Sequence, residues 1–185
     1  MERCDWAAEG LMAKYHDKEW GTPVHSDKKL FELLVLEGMQ AGLSWSTVLN
    51  KRKNYQKALD NFDFIKISKY NEANFNRLLK NPGIIRNRSK IRSIINNSRR
   101  FIEVRKEFGT FDRYLWGFVS RKQTVNHFKK LSDLPYSTPI SEKISKDLKR
   151  RGFNFVGPSV CYSFMQATGM VNDHLVKCFR HNARD

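Results

Sequence analysis

The stretch SEKISKDLKRRGFNFVGPSVCYSFMQATGMVNDH, residues 141–174, decides the fold that we predict for this chain. A basic amphipathic helix capped by Ser141 is followed by a glycine-containing turn and by an apolar helix, which together form a hairpin at about residues 141–170. The N-terminus of the second helix, around Gly157 and Ser159, would present unpaired backbone N–H groups, and such groups bind phosphate. An ordinary αα-hairpin joining two core helices has the same pattern, and shape alone does not separate these interpretations.

The rest of the chain is also helical in pattern. Apolar residues recur at helical spacing, with polar caps before them and Gly or Pro after them, and no segment shows sustained strand alternation. Further helices are predicted at 26–42, from Ser44 onward, at 71–81 and at 86–109. We therefore predict an all-α fold. A chain of 185 residues is of ordinary size for one domain, so a single domain over residues 1–185 is expected.

Charge is the strongest signal in the composition. Lys and Arg number 34 against 19 Asp and Glu, a formal net charge of +15, which favours a polyanionic partner such as nucleic acid. The run Arg86, Arg88, Lys90 and Arg92 is typical either of phosphate contact or of a solvated helix face. No stretch resembles a secretion signal or a membrane span, and three cysteines argue against a disulfide framework. We expect a cytoplasmic monomer without membrane contact.

Two pairs of residues at opposite ends of the chain suggest a metal site. His174 and Cys178 stand at i and i+4, so on a helix they would point the same way. Cys4 and His16 would complete a Cys2His2 set of the kind that zinc prefers, and a closed set of four ligands is structural. Spacing alone is weak support, because a lone histidine is more often a core or surface residue. Cys161, in an apolar helix, is interpreted as a core thiol.

The longer motifs resemble the 3-methyladenine DNA glycosylase I family. They run in order along almost the whole chain and comprise MERC at 1–4, YHDKEWG at 15–21, LEGMQAGLSW at 36–45, GIIRNRSKI at 83–91 and KRRGFNFVGPSVCYSFMQATGMVNDH at 149–174. The resemblance implies a compact helix-hairpin-helix glycosylase fold that excises N3-methyladenine from alkylated double-stranded DNA, the first step of base excision repair. It also implies one structural Zn²⁺ per chain, bound by Cys4, His16, His174 and Cys178, which joins the two ends of the chain.

The resemblance assigns the hairpin to DNA phosphate, through residues 153–159 and in particular Gly157 and Ser159. Superfamily members that also cut the strand carry a lysine nucleophile where this chain has Ser159, so a monofunctional glycosylase is expected. The catalytic aspartate of many superfamily members corresponds to Asn172. Asp173 is displaced by one position, and we expect it to cap the segment or to support His174.

Glu37 is the candidate catalytic residue. It lies on the same face as Leu30, Leu33 and Leu34 in the least polar helix, and buried acids usually have a function. From position alone it could equally be a boundary glutamate that reaches solvent. The resemblance makes it the carboxylate that contacts the extruded base.

The resemblance also supplies a binding pocket. It implies that Trp45 and Tyr15 present aromatic faces to the base, with Trp6 and Trp20 lining the pocket, although any single tryptophan is more often a core anchor. Because N3-methyladenine is a cation with an already weak glycosidic bond, aromatic faces would favour it over neutral adenine. Leu43 is a candidate wedge for the vacated position in the base stack, with plain core packing as its alternative.

The sequence is compatible with two other classes of function. A catalytically silent, zinc-stapled DNA-binding module would bind DNA without releasing a base, and Glu37→Ala would leave it unchanged. A structural or adaptor protein would use the basic surface for a protein partner and would be indifferent to DNA damage. The aromatic residues that accompany Glu37 favour the enzyme.

Overall fold

A computed structural model describes residues 2–7 and 9–181 and shows an almost entirely helical chain, which confirms the all-α prediction. Within those residues, two strands of two residues each, β1 (Thr124–Val125) and β2 (Val171–Asn172), pair in parallel. The α-helices are α1 (Gly10–Lys18), α2 (Asp27–Gln40), α3 (Trp45–Ala58), α4 (Phe64–Ser68), α5 (Glu72–Lys80), α6 (Arg88–Phe108), α7 (Phe111–Gly117), α8 (Pro139–Arg150) and α9 (Pro158–Ala167). None of these helices combines the length and apolarity needed to cross a membrane.

Helix α2 lies at the centre of the molecule. It packs against α3, α6, α7 and α9, and its second half is buried on every side, which explains the apolar residues that its sequence carries all round. Its end is fixed by Lys90 of α6, whose Nζ donates to the carbonyl oxygens of Met39 at 2.8 Å and Ala41 at 2.6 Å. A cation satisfies the unpaired C-terminal carbonyls and complements the helix dipole.

This contact corrects one interpretation of the basic run at residues 86–92. Lys90 is only 6% exposed, so it holds α2 and does not meet phosphate. Arg92 pairs with Glu72 at 3.3 Å and stacks over the ring of Phe75. Arg86 and Arg88 are exposed.

Helices α8 and α9 form the predicted hairpin, with one change at its start. The N-cap is Thr138, and Ser141 sits three residues later in a reciprocal capping box, so the helix begins earlier than Ser141 predicted. Pro139 at the first helical position explains the earlier start, because proline favours that site. Gly152 adopts φ +84° in the turn, a conformation that favours glycine.

The hairpin turn is fastened to α6 by two asparagines. Asn97 bonds both the N–H and the C=O of Asn154, at 2.9 Å each, and Asn96 donates to the carbonyl of Gly152 at 2.7 Å. Ser145 of α8 donates to the carbonyl of Val156 at 2.6 Å. The turn that precedes α9 is therefore held from both sides, so the first N–H groups of α9 have a fixed direction.

Candidate metal centre and adjoining aromatic pocket

The four predicted metal ligands meet in one buried cluster. Their ligand atoms, Cys4 Sγ, His16 Nε2, His174 Nδ1 and Cys178 Sγ, all lie within 4.8 Å of one another. The two nitrogens are 3.1 Å apart, and Cys178 Sγ lies 3.4 Å and 3.5 Å from them. A tetrahedral ion with bonds of about 2.0 Å to nitrogen and about 2.3 Å to sulfur needs separations of about 3.3–3.8 Å. The cluster therefore has the size and donor set to hold a metal ion.

A second layer of hydrogen bonds orients these ligands. His16 Nδ1 lies 2.8 Å from Asp17, which also accepts a hydrogen bond from Arg3. His174 Nε2 lies 3.0 Å from the carbonyl oxygen of Trp20. Backbone N–H groups point at both sulfurs, from Leu175 to Cys4 and from Arg180 to Cys178, at 3.4 Å each. Metal-binding imidazoles usually have such partners on the other ring nitrogen.

Burial affects the ionisation of the cluster. It raises the pKa of the Cys4 thiol to about 12 and lowers the pKa of His174 to about 4. Thiolates are the form that binds metal, so a cation among these residues would offset the cost of ionising the buried thiols.

The C-terminal ligands reach the cluster in a different way from that expected. His174 and Cys178 do not lie on a helix: the chain leaves β2 at Asn172 and makes a turn in which Cys178 N–H donates to the carbonyl of Leu175 at 2.7 Å. Gly21 passes close by, and a Cβ there would lie 3.1 Å from the His174 ring. His181 lies outside the four-residue cluster, with Nε2 3.1 Å from the Asn126 carbonyl, and the tail after it is outside the described residues.

Asp173 does not play the expected role of supporting His174. Its side chain faces the other way and accepts hydrogen bonds from Asn126, Tyr162 and Gln166. The backbone N–H of His174 is instead bonded by the Asn172 side chain at 3.1 Å. Asn172 thus orients the backbone of the segment that carries the candidate ligand His174.

A pocket of about 270 Å³ adjoins the metal cluster and contains all four predicted aromatic residues. The ring centroids of Trp6 and Trp20 are 5.0 Å apart, and those of Tyr15 and Trp45 are 5.1 Å apart. Trp6 and Trp20 also contact the candidate metal ligands. The ring centroids of Trp6 and His16 are 5.2 Å apart, and those of Trp20 and His174 are 4.7 Å apart. The pocket is lined by Trp6, Met12, Tyr15, Trp20, Glu37, Gln40, Trp45, Leu131, Leu134, Ser163 and Gln166.

Glu37 lies in the wall of this pocket and is 4% exposed, so it is not a boundary glutamate that reaches bulk solvent. Burial raises the pKa of its carboxyl to about 8. Its Oε2 and the Nε1 of Trp45 are buried without a hydrogen-bond partner among the described residues. Unsatisfied buried polar atoms are costly, and an acceptor and a donor in one pocket wall indicate a polar ligand.

A second opening, of about 330 Å³, borders the pocket and shares Glu37, Gln40 and Ser163 with it. Leu43, at the turn between α2 and α3, lines this opening and is 42% exposed, which excludes plain core packing. Gly157 and Ser159 of the hairpin line its other side. Leu43, Gly157 and Ser159, the three residues assigned to DNA by the resemblance, thus lie around one opening.

Neither backbone conformation nor crowding among the described residues requires a glycine at position 157. Its φ is −63°, and a Cβ added there would meet no atom within 4 Å. A bare backbone beside the free N–H groups of α9 allows a ligand to approach closely.

Sequence reasoning missed part of the pocket wall, notably Ser163 and Gln166 of α9. They follow Ser159 at i+4 and i+7, so one polar stripe runs along an otherwise apolar helix. That periodicity was the available signal. Leu131 and Leu134 belong to a short 3-10 helix (Leu131–Asp133) and the residue that caps it, and they had no comparable pattern.

Comparison with known proteins gives a consistent result. The family model described as methyladenine glycosylase matches residues 6–181. DNA-3-methyladenine glycosylase 1 of Escherichia coli is 48% identical and that of Haemophilus influenzae is 44% identical; the alignments cover 96% and 95% of this chain and 96% of each relative. A solved variant of 3-methyladenine DNA glycosylase I in complex with 3-methyladenine is 32% identical, with a TM-score of 0.95 over 100% of both chains.

Proposed function

This chain belongs to the methyladenine glycosylase family, and we propose on that premise that it excises N3-methyladenine from alkylated DNA by hydrolysing the N-glycosidic bond. The observation that carries the proposal is the aromatic pocket with the unpartnered carboxyl of Glu37 in its wall. A damaged base must leave the helix to reach such a pocket, at a cost of a few kcal/mol. The enzyme starts base excision repair, and it leaves the strand intact.

The pocket is suited to a cationic purine. Trp45 and Tyr15 offer aromatic faces, and a desolvated cation over such a face gains about 2 kcal/mol or more, whereas neutral adenine does not. Trp6 and Trp20 complete the wall. The positive charge on the base already weakens the glycosidic bond, so much of the catalysis comes from binding the flipped nucleotide in a dry site.

Glu37 supplies the electrostatic part of recognition. The pKa of about 8 belongs to the pocket without a base, where burial alone acts on the carboxyl. An arriving cation favours the ionised form, so the carboxylate then attracts the base and accepts a hydrogen bond from its edge. We assign to Glu37 the role of catalytic residue on this basis.

The entrance beside the pocket is the proposed DNA interface. The free N–H groups at the start of α9, around Gly157 and Ser159, bind a backbone phosphate of double-stranded DNA, and Leu43 fills the space that the flipped nucleotide leaves. Ser159 stands where a Schiff-base lysine would be needed, so no strand cleavage follows base release. Phosphate contacts carry no sequence information, which fits an enzyme that recognises a lesion.

The proposed cofactor is one structural Zn²⁺ per chain. Two thiolates and two imidazoles are the ligands that zinc prefers, and four protein ligands leave no position for a reacting water. When bound, the ion supplies cross-linking and not catalysis. Cys4, His16, His174 and Cys178 would hold the two ends of the chain together behind the wall formed by Trp6 and Trp20. A monomer in the cytoplasm remains our expectation.

The test is release of free bases from methylated duplex DNA, resolved by chromatography, for the wild type beside Glu37→Gln and Trp45→Ala. We expect 3-methyladenine in the product, 7-methylguanine untouched, and lower activity in both variants. Gel analysis of the same DNA should show no strand breaks before alkali treatment. Binding to DNA without any base release would instead support the silent DNA-binding module.

A further inference from the structure

Gln166 carries the polar group at the α9 end of the pocket, and its side chain is held from behind. Its Nε2 donates to Asp173 at 2.8 Å. The same carboxylate accepts from the hydroxyl of Tyr162 and from Nδ2 of Asn126, the latter at 2.7 Å. Asp173 is 1% exposed, so these three donors replace the water that a buried carboxylate has lost.

This arrangement fixes which end of the Gln166 amide faces the pocket. Both oxygens of Asp173 accept hydrogen bonds, and the Gln166 amide turns its nitrogen, its only donor, toward them. The carbonyl Oε1 then points away from Asp173. Gln166 is half-buried and lines the pocket, and no described residue donates a hydrogen bond to Oε1. The wall at Gln166 is therefore a hydrogen-bond acceptor of fixed orientation.

A fixed acceptor distinguishes the two purines. Adenine carries an amino group at position 6, whereas guanine carries a carbonyl oxygen there. Glu37 supplies a second acceptor in the same pocket, and an amino group has two hydrogens to donate. Guanine would instead bring its carbonyl oxygen against acceptors, which leaves buried polar atoms unpaired and is penalised strongly.

We propose that Gln166, oriented by Asp173, accepts a hydrogen bond from the 6-amino group of the extruded base and thereby selects 3-methyladenine over 3-methylguanine. This inference rests on the proposed function and adds the basis of its specificity. Gln166 is the specificity-determining residue that touches the base, and Asp173 is a positioning residue that acts through Gln166.

The experiment measures kcat/KM for release of 3-methyladenine and of 3-methylguanine from the same methylated DNA, and the result is their ratio. Gln166→Met keeps the size of the side chain and removes the acceptor, so we expect the ratio to fall by about tenfold. The variant loses the hydrogen bond to Asp173, which keeps its two other donors, and Gly21 stays bonded to the backbone carbonyl of Gln166 at 3.0 Å. We therefore expect a folded protein with a lower melting temperature.

Asp173→Asn provides the second variant. An amide at position 173 can donate to Gln166, which allows the Gln166 amide to invert and to present its nitrogen to the pocket. We expect the ratio to fall by at least as much as in Gln166→Met, with 3-methylguanine release rising relative to the wild type. A purely structural role for Asp173 would lower both activities together and leave the ratio unchanged.

Gln123→Met is the matched control. Gln123 is also half-buried and donates to the backbone carbonyls of Gly21 and Gly169, at 2.7 Å each, but it does not line the pocket. We expect a lower melting temperature and an unchanged ratio. A wild-type ratio in folded Gln166→Met would overturn the inference, while a wild type that releases no base at all would overturn the proposed function instead.

Discussion

The metal cluster and the aromatic pocket lie side by side, yet they differ in whether their buried polar atoms have hydrogen-bond partners. In the cluster, each residue has a hydrogen-bond partner outside the set of four. His16 is bonded to Asp17 and His174 to the Trp20 carbonyl, and each sulfur accepts from a backbone N–H group. In the pocket, Glu37 Oε2 and Trp45 Nε1 are buried and unpaired. The difference teaches that the protein fixes the candidate metal ligands through their remaining atoms, so that they can only hold an ion in place, whereas it leaves the pocket atoms unpaired and available to a polar ligand.

The two regions are also coupled. Trp20 gives its carbonyl to His174 and its ring to the pocket, and Trp6 packs its ring against His16 while lining the same pocket. The metal site therefore holds the wall against which the base would bind. Damage to the cluster should lower both stability and activity, whereas damage to the pocket should lower activity without a comparable loss of stability.

The largest effect is expected from Cys4→Ala. Loss of one ligand from a closed site should cost about 5 kcal/mol or more, because metal binding contributes directly to folding. Metal content measured by mass spectrometry should fall below one zinc per chain, and the melting temperature should drop by more than about 10 °C. Cys161→Ala is the control, since Cys161 is equally buried but outside the cluster, and it should retain the metal. A wild-type protein without bound zinc would contradict the assignment.

Glu37→Gln should stabilise the protein at alkaline pH. The pKa of Glu37 is raised from 4.5 to about 8, so the folded state keeps a proton that the unfolded state has lost. This term lowers stability progressively as the pH rises from about 4.5 to about 8, and glutamine removes it. We expect the free energy of unfolding of Glu37→Gln at pH 8 to exceed that of the wild type by about 4 kcal/mol, with little difference at pH 4.

Thermal denaturation of both proteins across this pH range checks the prediction. A parallel pH dependence in the two would show that Glu37 ionises normally. The same variant should release less 3-methyladenine, so a gain in stability and a loss of activity would coincide at one residue, as expected for an incomplete site.

Trp45→Ala tests the aromatic side of the pocket. Loss of one face for a cationic base should reduce kcat/KM for 3-methyladenine release by about 30-fold, which corresponds to about 2 kcal/mol. Trp45→Phe retains a face and should lose only a few-fold. Fluorescence titration with free 3-methyladenine would show whether the loss lies in binding. Equal activity in the alanine and phenylalanine variants would exclude a stacking role.

The smallest effect is expected from Leu43→Ala. Because the side chain is largely exposed, stability should change by less than about 0.5 kcal/mol. Base flipping should weaken, with single-turnover excision slowed by about tenfold and a smaller 2-aminopurine signal beside the lesion. Ile65→Ala is the control, since Ile65 is 50% exposed on α4 and does not line the pocket or its entrance. Equal effects of the two variants would contradict the wedge assignment.

The sequence was most informative where the signal is local or chemical. Helical periodicity and caps such as Ser44 and Asn71 predicted most helices, since these depend on residues a few positions apart. The types of the four metal ligands and the carboxyl in an apolar helix also marked their sites in advance, because thiols and buried acids are rarely present without a reason. The family motifs supplied the aromatic residues of the pocket.

Only the tertiary structure decided the rest. The sequence suggested a helix for His174 and Cys178, support of His174 for Asp173, and a solvent or phosphate contact for Lys90. In the structure, Cys178 lies in a turn, Asp173 accepts a hydrogen bond from Gln166, and Lys90 is buried and caps the C-terminus of α2. Lys90 meets Met39 across 51 residues, Asp173 meets Asn126 across 47, and the turn brings Cys178 to His16 across 162. Contacts between residues so far apart in the chain leave no periodic signal in the sequence.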